Sequence, residues 1–187
     1  MTENPDNPPV FKQLRDLREL VNPAGPRKRL AVAVAQDEFS LDAIYKAFRS
    51  GVVDPVLIGD EDQILQLAQD KNYNFYGASV VDVMDPEKAV ELAVRMVHDG
   101  RADILMKGKV PTPVLLKGVL NRDWGLRTGR LLSHFSLFEV DTYHKLIGVT
   151  DVAMNIAPNL TDKIAIVNNA VDYMHKLGVA CPKVAVL

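Results

Sequence analysis

A single cysteine, Cys181, leaves no partner for an intramolecular disulfide and rules out a cysteine-rich metal site. With Pro182 and an apolar run behind it, this thiol is expected to be buried and inert rather than nucleophilic. No apolar run is long enough to span a bilayer. The polar start, Met-Thr-Glu-Asn-Pro-Asp-Asn-Pro-Pro, has neither the basic nor the apolar region of a signal peptide, so the expected address is the cytoplasm, with no membrane partner. Charge of one sign is also missing. Twenty-two Lys and Arg face 24 Asp and Glu, a net of -2, which gives no general attraction to nucleic acid or an anionic surface and makes any basic site local. No Gly-x-Gly-x-x-Gly follows a strand, and no cluster of aspartates suggests a divalent metal.

What is present is an alternation of apolar strands and amphipathic helices. Residues 1–9, rich in Pro and Asn, are expected to be loosely attached, and helical spacing of Phe11, Leu14, Leu17 and Leu20 predicts a helix over 10–21. The Ala/Val run at 30–35 is typical of a strand covered on both faces. A helix over 40–49 stopped by Gly51, a strand at 55–58, and a helix opening at Asp60 with Gln63 at capping-box spacing follow. Next come a strand at 79–83, a helix opened by Asp85-Pro86-Glu87 and running to Val97, and a strand at 103–106. Strands separated by helices imply right-handed crossovers and a mostly parallel sheet in an α/β/α domain, whose ligands bind beyond the carboxyl ends of the strands. After Arg130 the pattern changes to two strands, 133–140 and 143–149, joined at Asp141-Thr142, then a loop, a helix over 161–177 and a buried strand over 182–187. The expected division is a first domain at 1–130 and the beginning of a second α/β domain at 131–187.

The cations concentrate in one stretch. Lys107, Gly108 and Lys109 follow the strand at 103–106, and Thr112 as N-cap with Pro113 as first helical residue opens the next helix. Glycine lets backbone amides approach a ligand, the helix N-terminus supplies oriented donors, and two lysines add charge, so the place suits an anion such as phosphate. A second basic element, Arg127, Thr128, Gly129 and Arg130, offers forked donors matched to phosphate oxygens. Each cation taken singly could equally be a solvated surface charge. The Lys-Gly-Lys turn with its helix is stronger as a unit.

The run from Leu105 to Ala170 contains Met-Lys-Gly, Gly-Leu-Arg-Thr-Gly-Arg-Leu-Leu-Ser-His and Thr-Asp-Val-Ala-Met-Asn-Ile-Ala-Pro, and its last motif, Asn-Asn-Ala-Val, ends one residue on at Val171. It resembles the phosphate acetyl/butyryltransferase family, and more closely its phosphate butyryltransferase branch. Weaker similarity reaches back to about Arg29 and forward to Leu187. The resemblance implies two α/β domains about a cleft, an architecture shared with isocitrate and isopropylmalate dehydrogenases; a homo-oligomer is also expected. It implies acyl transfer between coenzyme A, as substrate rather than bound cofactor, and inorganic phosphate. Phosphate is then itself the nucleophile, so the protein must hold it against the thioester and stabilise an oxyanion.

On this reading Lys107, the Gly108 amide, Thr112 and Arg130 are suited to those roles, Lys109 adds charge, and Lys117 stands where the acetyltransferase branch places an arginine. Ser133 and His134 follow the arginine motif directly. His134 could shuttle a proton near neutral pH or merely begin a strand. Asp151 and Asn155 could bind substrate or fix a loop by Asx-type turns. His98, near a helix C-terminus, is most simply a dipole partner. Family members are longer and place a Ser-Arg pair and an Asp near a C-terminus that no segment here matches, so truncation is expected, with apolar surface exposed around Val184 to Leu187. Two alternatives stay open: a non-catalytic fragment that binds coenzyme A or phosphate, and an NAD-dependent dehydrogenase of similar fold, which the missing glycine fingerprint disfavours.

Overall fold

In the computed structural model, which describes residues 11–21 and 25–187, the apolar run that reads as a doubly covered strand becomes β1 (Lys28–Ala33). It pairs in parallel with both β2 (Val53–Gly59) and β4 (Ile104–Lys107), while β3 (Ser79–Asp82) pairs with β2, giving the order β3-β2-β1-β4. Ala31 and Ala33 point to one face, where α4 (Pro86–His98) packs with Ala89, Val90, Ala93 and Val94. Leu30 and Val32 point to the other, against Leu41 and Ile44 of α2 (Glu38–Arg49) and Ile64 and Ala68 of α3 (Glu61–Asp70). Small residues on β1 and α4 let that helix lie close. Gly118 of α5 (Thr112–Val119) does the same between helices, since a Cβ there would meet a Val90 methyl at 2.8 Å.

Local capping fixes where these helices begin. The Asp60 carboxylate accepts from the Gln63 amide at 2.9 Å, and the Asp85 carboxylate accepts from the amides of Glu87 and Lys88, with Pro86 in the first turn. Helix α2 starts earlier than its apolar stripe suggests, because Asp37 is its cap.

The described chain divides into two units, one of Asn22–Thr128 and one of Met1–Val21 with Gly129–Leu187. The second holds β5 (Ser136–Phe138) antiparallel to β6 (Ile147–Val149), followed by α6 (Leu160–Lys176), which opens with an Asn159–Asp162 capping box. Several expectations change here. The helix over 10–21 shrinks to a single turn, α1 (Asp16–Glu19), because the Asp16 carboxylate takes the amides of Lys12 and Gln13 and the Phe11 carbonyl accepts from the Leu146 amide. These bonds, with that of the Leu14 amide to Glu139, occupy the segment in non-helical geometry. The reading of residues 1–9 as loosely attached lies outside the described residues, as does that of Val10.

The two strands after Arg130 pair over three residues each, since 139–146 forms a longer link with a turn at Val140–Tyr143 in place of a tight Asp-Thr hairpin. Residues 182–187 are not a strand. No ladder partner adjoins them among the described residues, and Val184, Val186 and Leu187 are exposed. Cys181, expected to be buried, is exposed with them.

Among the described residues no helix is long and apolar enough to cross a membrane. The sheet core sets a stability expectation. Leu57, with no exposed surface, should cost about 2–5 kcal/mol when changed to Ala, whereas Leu65→Ala, on the half-exposed side of α3, should cost far less, both measured by urea unfolding.

Candidate functional site

The chain visits β1, β2 and β3 in one direction and then crosses by α4 to lay β4 on the other side of β1. The loops leaving β1 and β4 therefore part, opening a crevice at the carboxyl edge. Its floor is a backbone contact. The amides of Gly108 and Lys109 donate to the carbonyls of Ala33 and Val34 at 2.9 and 2.8 Å, and Val34 takes a positive φ of 60° to present its carbonyl. A β-branched residue in this region stores about 1–3 kcal/mol of strain. A Cβ on Gly108 would lie 2.0 Å from the Val34 carbonyl oxygen, so the glycine serves the approach of two backbones. The expectation that the Gly108 amide faces an anion is thus corrected: the amides of Gly108, Lys109 and Val110 all have backbone acceptors.

The resulting cleft, of about 590 Å³, is lined by Asp37, Ser40 and the run from Lys107 to Pro111. The Lys107 ammonium donates to the carbonyls of Gly108 and Val110, each at 3.0 Å, so it clamps its own loop and keeps one proton free. Lys109 is exposed and among the described residues makes no ion pair. Asp37 accepts the Ser40 amide at 2.8 Å and its hydroxyl at 2.6 Å, both on Oδ2. These bonds hold its carboxyl below the usual range, with help from Lys109 and Lys107 and against desolvation. Thr112 does not cap α5. Pro111 occupies the cap position in extended geometry, leaving Thr112 as the first helical residue with no side-chain cap. Lys117 lies on the last turn of α5, outside the cleft lining, 4.0 Å from Glu87 with both side chains largely exposed. Arg127 and Thr128 are exposed at the end of the same unit. The ring of His98 meets the Gly125 carbonyl at 2.9 Å and ties the end of α4 to the segment before them.

The second unit gathers the remaining candidates around Asp151 and one face of α6. Arg130 pairs with Asp172 at 2.8 Å. Asn169, one turn earlier on α6, donates to the Leu131 carbonyl and to the Ser133 hydroxyl at 2.8 and 2.9 Å. The His134 amide donates to Asp151, its Nε2 lies 3.1 Å from the Ser136 hydroxyl, and its Nδ1 is enclosed with no partner among the described residues. Asp151 also accepts from the amides of Met154 and Asn155 and from the Asn155 side chain, which reaches the Leu132 carbonyl as well. Of the alternatives left open for this pair, the geometry shows loop fixing. Desolvation raises the Asp151 carboxyl, but the Asn155 side chain and the amides of His134, Met154 and Ala153 outweigh it and hold it below the ordinary 3.8.

The family model described as "Phosphate acetyl/butaryl transferase" matches residues 80–187, more than half of the chain. The chain belongs to the phosphate acetyl/butyryl transferase family. Relatives include the phosphate butyryltransferase of Clostridium beijerinckii, 43% identical over 160 residues that cover 86% of this chain and 53% of the relative. The phosphate acetyltransferase of Thermotoga maritima is 36% identical over 172 residues, covering 91% of this chain and 58% of that one. The crystal structure of a branched-chain phosphotransacylase from Enterococcus faecalis superposes with a TM-score of 0.69 at 30% identity, covering 83% of this chain and 54% of the other. The chain spans about half the length of the curated relatives it matches.

Each unit taken by itself, the sheet unit carries a mixed-charge cleft and the second unit a cross-braced set of polar side chains. Among the described residues no group of three or more His, Cys, Asp or Glu is placed to hold a metal ion. Sequence reasoning missed Asp37, Ser40, Asn169 and Asp172. Asp37-x-x-Ser40 carried a local signal as a capping spacing ahead of an apolar stripe, and Asn169 lay in the Asn-Asn-Ala-Val motif without being singled out.

The Asp151 bonds give a pH expectation. A carboxyl depressed in the folded state contributes stability that is complete above its ordinary 3.8 and is lost as pH falls through the lower folded value. Asp151→Asn should lower stability at neutral pH and make the acid limb shallower as pH falls from 3.8 through the folded value. Urea midpoints followed down the pH scale would show this, and curves parallel to wild type would refute it.

Proposed function

We propose that the protein to which this chain belongs transfers a short acyl group, butyryl or a near neighbour, between coenzyme A and inorganic phosphate. A phosphate oxygen attacks the thioester carbonyl, the carbon–sulfur bond breaks, and the thiolate leaves as free coenzyme A once protonated, giving an acyl phosphate. The observation that carries this reading is the two-lysine cleft at the carboxyl ends of β1 and β4, in a chain of the acetyl/butyryl transferase family. The names of its relatives support the acyl-CoA and phosphate substrates.

In this reading Lys109, and Lys107 through its remaining proton, hold phosphate and offset the charge that builds on the carbonyl oxygen. Arg127, Thr128, Gly129 and Arg130 serve a second anionic group, such as a phosphate of coenzyme A, with Lys117 as a peripheral contact. Arg130 reaches an anion only by sharing or exchanging Asp172. Ser133 and His134 handle the proton, braced by Asn169 and Asp151. Coenzyme A is a substrate and no bound cofactor is required. The protein is proposed to work as a cytoplasmic homo-oligomer. The dehydrogenase alternative has the weaker support, since the named relatives are transferases.

The test follows thiol release from butyryl-CoA and acetyl-CoA, with and without phosphate. It is run on this chain and on a chimera extended to relatives' length with the C-terminal half of the Clostridium beijerinckii enzyme. Phosphate-dependent release is expected of the extended chimera, with little or none from this chain alone. Thiol release indifferent to phosphate would overturn the reading, and coenzyme A binding without turnover in either form would mark a binding fragment. Lys109→Ala should weaken phosphate binding about ten- to a hundredfold with little change in stability. Lys107→Ala should weaken binding and also destabilise the loop it clamps, and Lys12→Ala, on an exposed residue of the other unit, should do neither.

A further inference from the structure

A cleft built only of cations would take phosphate and sulfate alike, because the two are close in size and shape. This cleft is not of that kind. Both bonds from Ser40 fall on Asp37 Oδ2, so Oδ1 makes no hydrogen bond among the described residues while the side chain lines the same cleft as Lys107 and Lys109. The Ser40 hydroxyl spends its proton on Asp37 and offers a ligand only lone pairs. With the loop amides already satisfied, the cleft presents ammonium donors together with carboxylate and hydroxyl acceptors.

An ionised carboxylate beside a bound oxyanion is repulsive unless the anion brings a proton to share. Inorganic phosphate near neutral pH carries at least one, and sulfate carries none. We propose that Asp37 makes the cleft selective for protonated oxyanions, taking inorganic phosphate and rejecting sulfate. The proposal rests on the reading of the cleft as the phosphate site and names the residue that sets its specificity.

Two observations support it. The bonds from Ser40, with the nearby lysines, lower the Asp37 carboxyl, so at neutral pH it is an acceptor only. The same bonds fix the carboxylate as the cap of α2, so it cannot turn away when an anion enters.

Calorimetric titration of this chain with phosphate, arsenate and sulfate at neutral pH and constant ionic strength tests the idea. Phosphate and arsenate, which both carry a proton, should bind about ten- to a hundredfold tighter than sulfate. Asp37→Asn and Asp37→Ser both keep a side chain able to cap α2, so the fold should persist, and each should bring sulfate to within about threefold of phosphate. Sulfate binding as tightly as phosphate in the wild type would overturn the proposal, as would a preference that survives in both variants. If neither anion binds, the cleft is not a phosphate site, and the reading it deepens falls with it. Phosphate-dependent turnover that sulfate inhibits with an affinity equal to that of phosphate removes the selectivity alone.

Discussion

The sheet unit depends on one backbone contact, the bonds from the Gly108 and Lys109 amides to the Ala33 and Val34 carbonyls. They extend the β1–β4 ladder past its regular end and hold Val34 in a conformation it would not take alone. They also turn the chain after each strand, so that Asp37 and Ser40 come to line a cleft with Lys107 and Lys109. Any side chain at Gly108 would push the two strands apart, which makes the glycine a requirement of strand docking.

This contact divides the work between the lysines. Because the loop amides are satisfied, the donors left for a ligand belong to side chains, and Lys107 has given two of its three to the carbonyls of Gly108 and Val110. Among the described residues Lys109 donates to no carbonyl and pairs with no carboxylate. The carboxylate of Asp37 partly balances these charges, which limits how far unscreened positive charge destabilises the folded unit.

The second unit achieves order differently. Its two strands pair over only three residues each, so much of its definition comes from polar side chains: Asp151 gathers amides from two segments, Asn155 and Asn169 reach the carbonyls of Leu132 and Leu131, and Arg130 closes onto α6. Such a network is well defined when every member is paired and vulnerable when one is removed. The apolar side chains it leaves in solvent, including Val152, Ile156, Leu160 and Leu187, show how little of this unit rests on a hydrophobic core.

The sequence by itself determined what depends on neighbours along the chain. The Asp60 and Asp85 caps, the glycine stops and the strand–helix alternation are short-range patterns that occur where they lie, and the Ala/Val run of 30–35 yields β1 shifted to Lys28–Ala33. The long motifs around Arg130 and Asp151 likewise identified the family before any fold was known. Tertiary structure alone decided which strand lies beside which, and everything that follows from that choice. The order β3-β2-β1-β4 is not written in any one segment, yet it places Asp37 in the cleft, assigns Gly108 to backbone docking, and separates a clamped Lys107 from a free Lys109. The same limit explains the misread ends of the chain. Residues 10–21 and 182–187 have the local patterns of a helix and a strand, but a pattern becomes an element only where an apolar face or a ladder edge is there to receive it, and that is a property of distant residues.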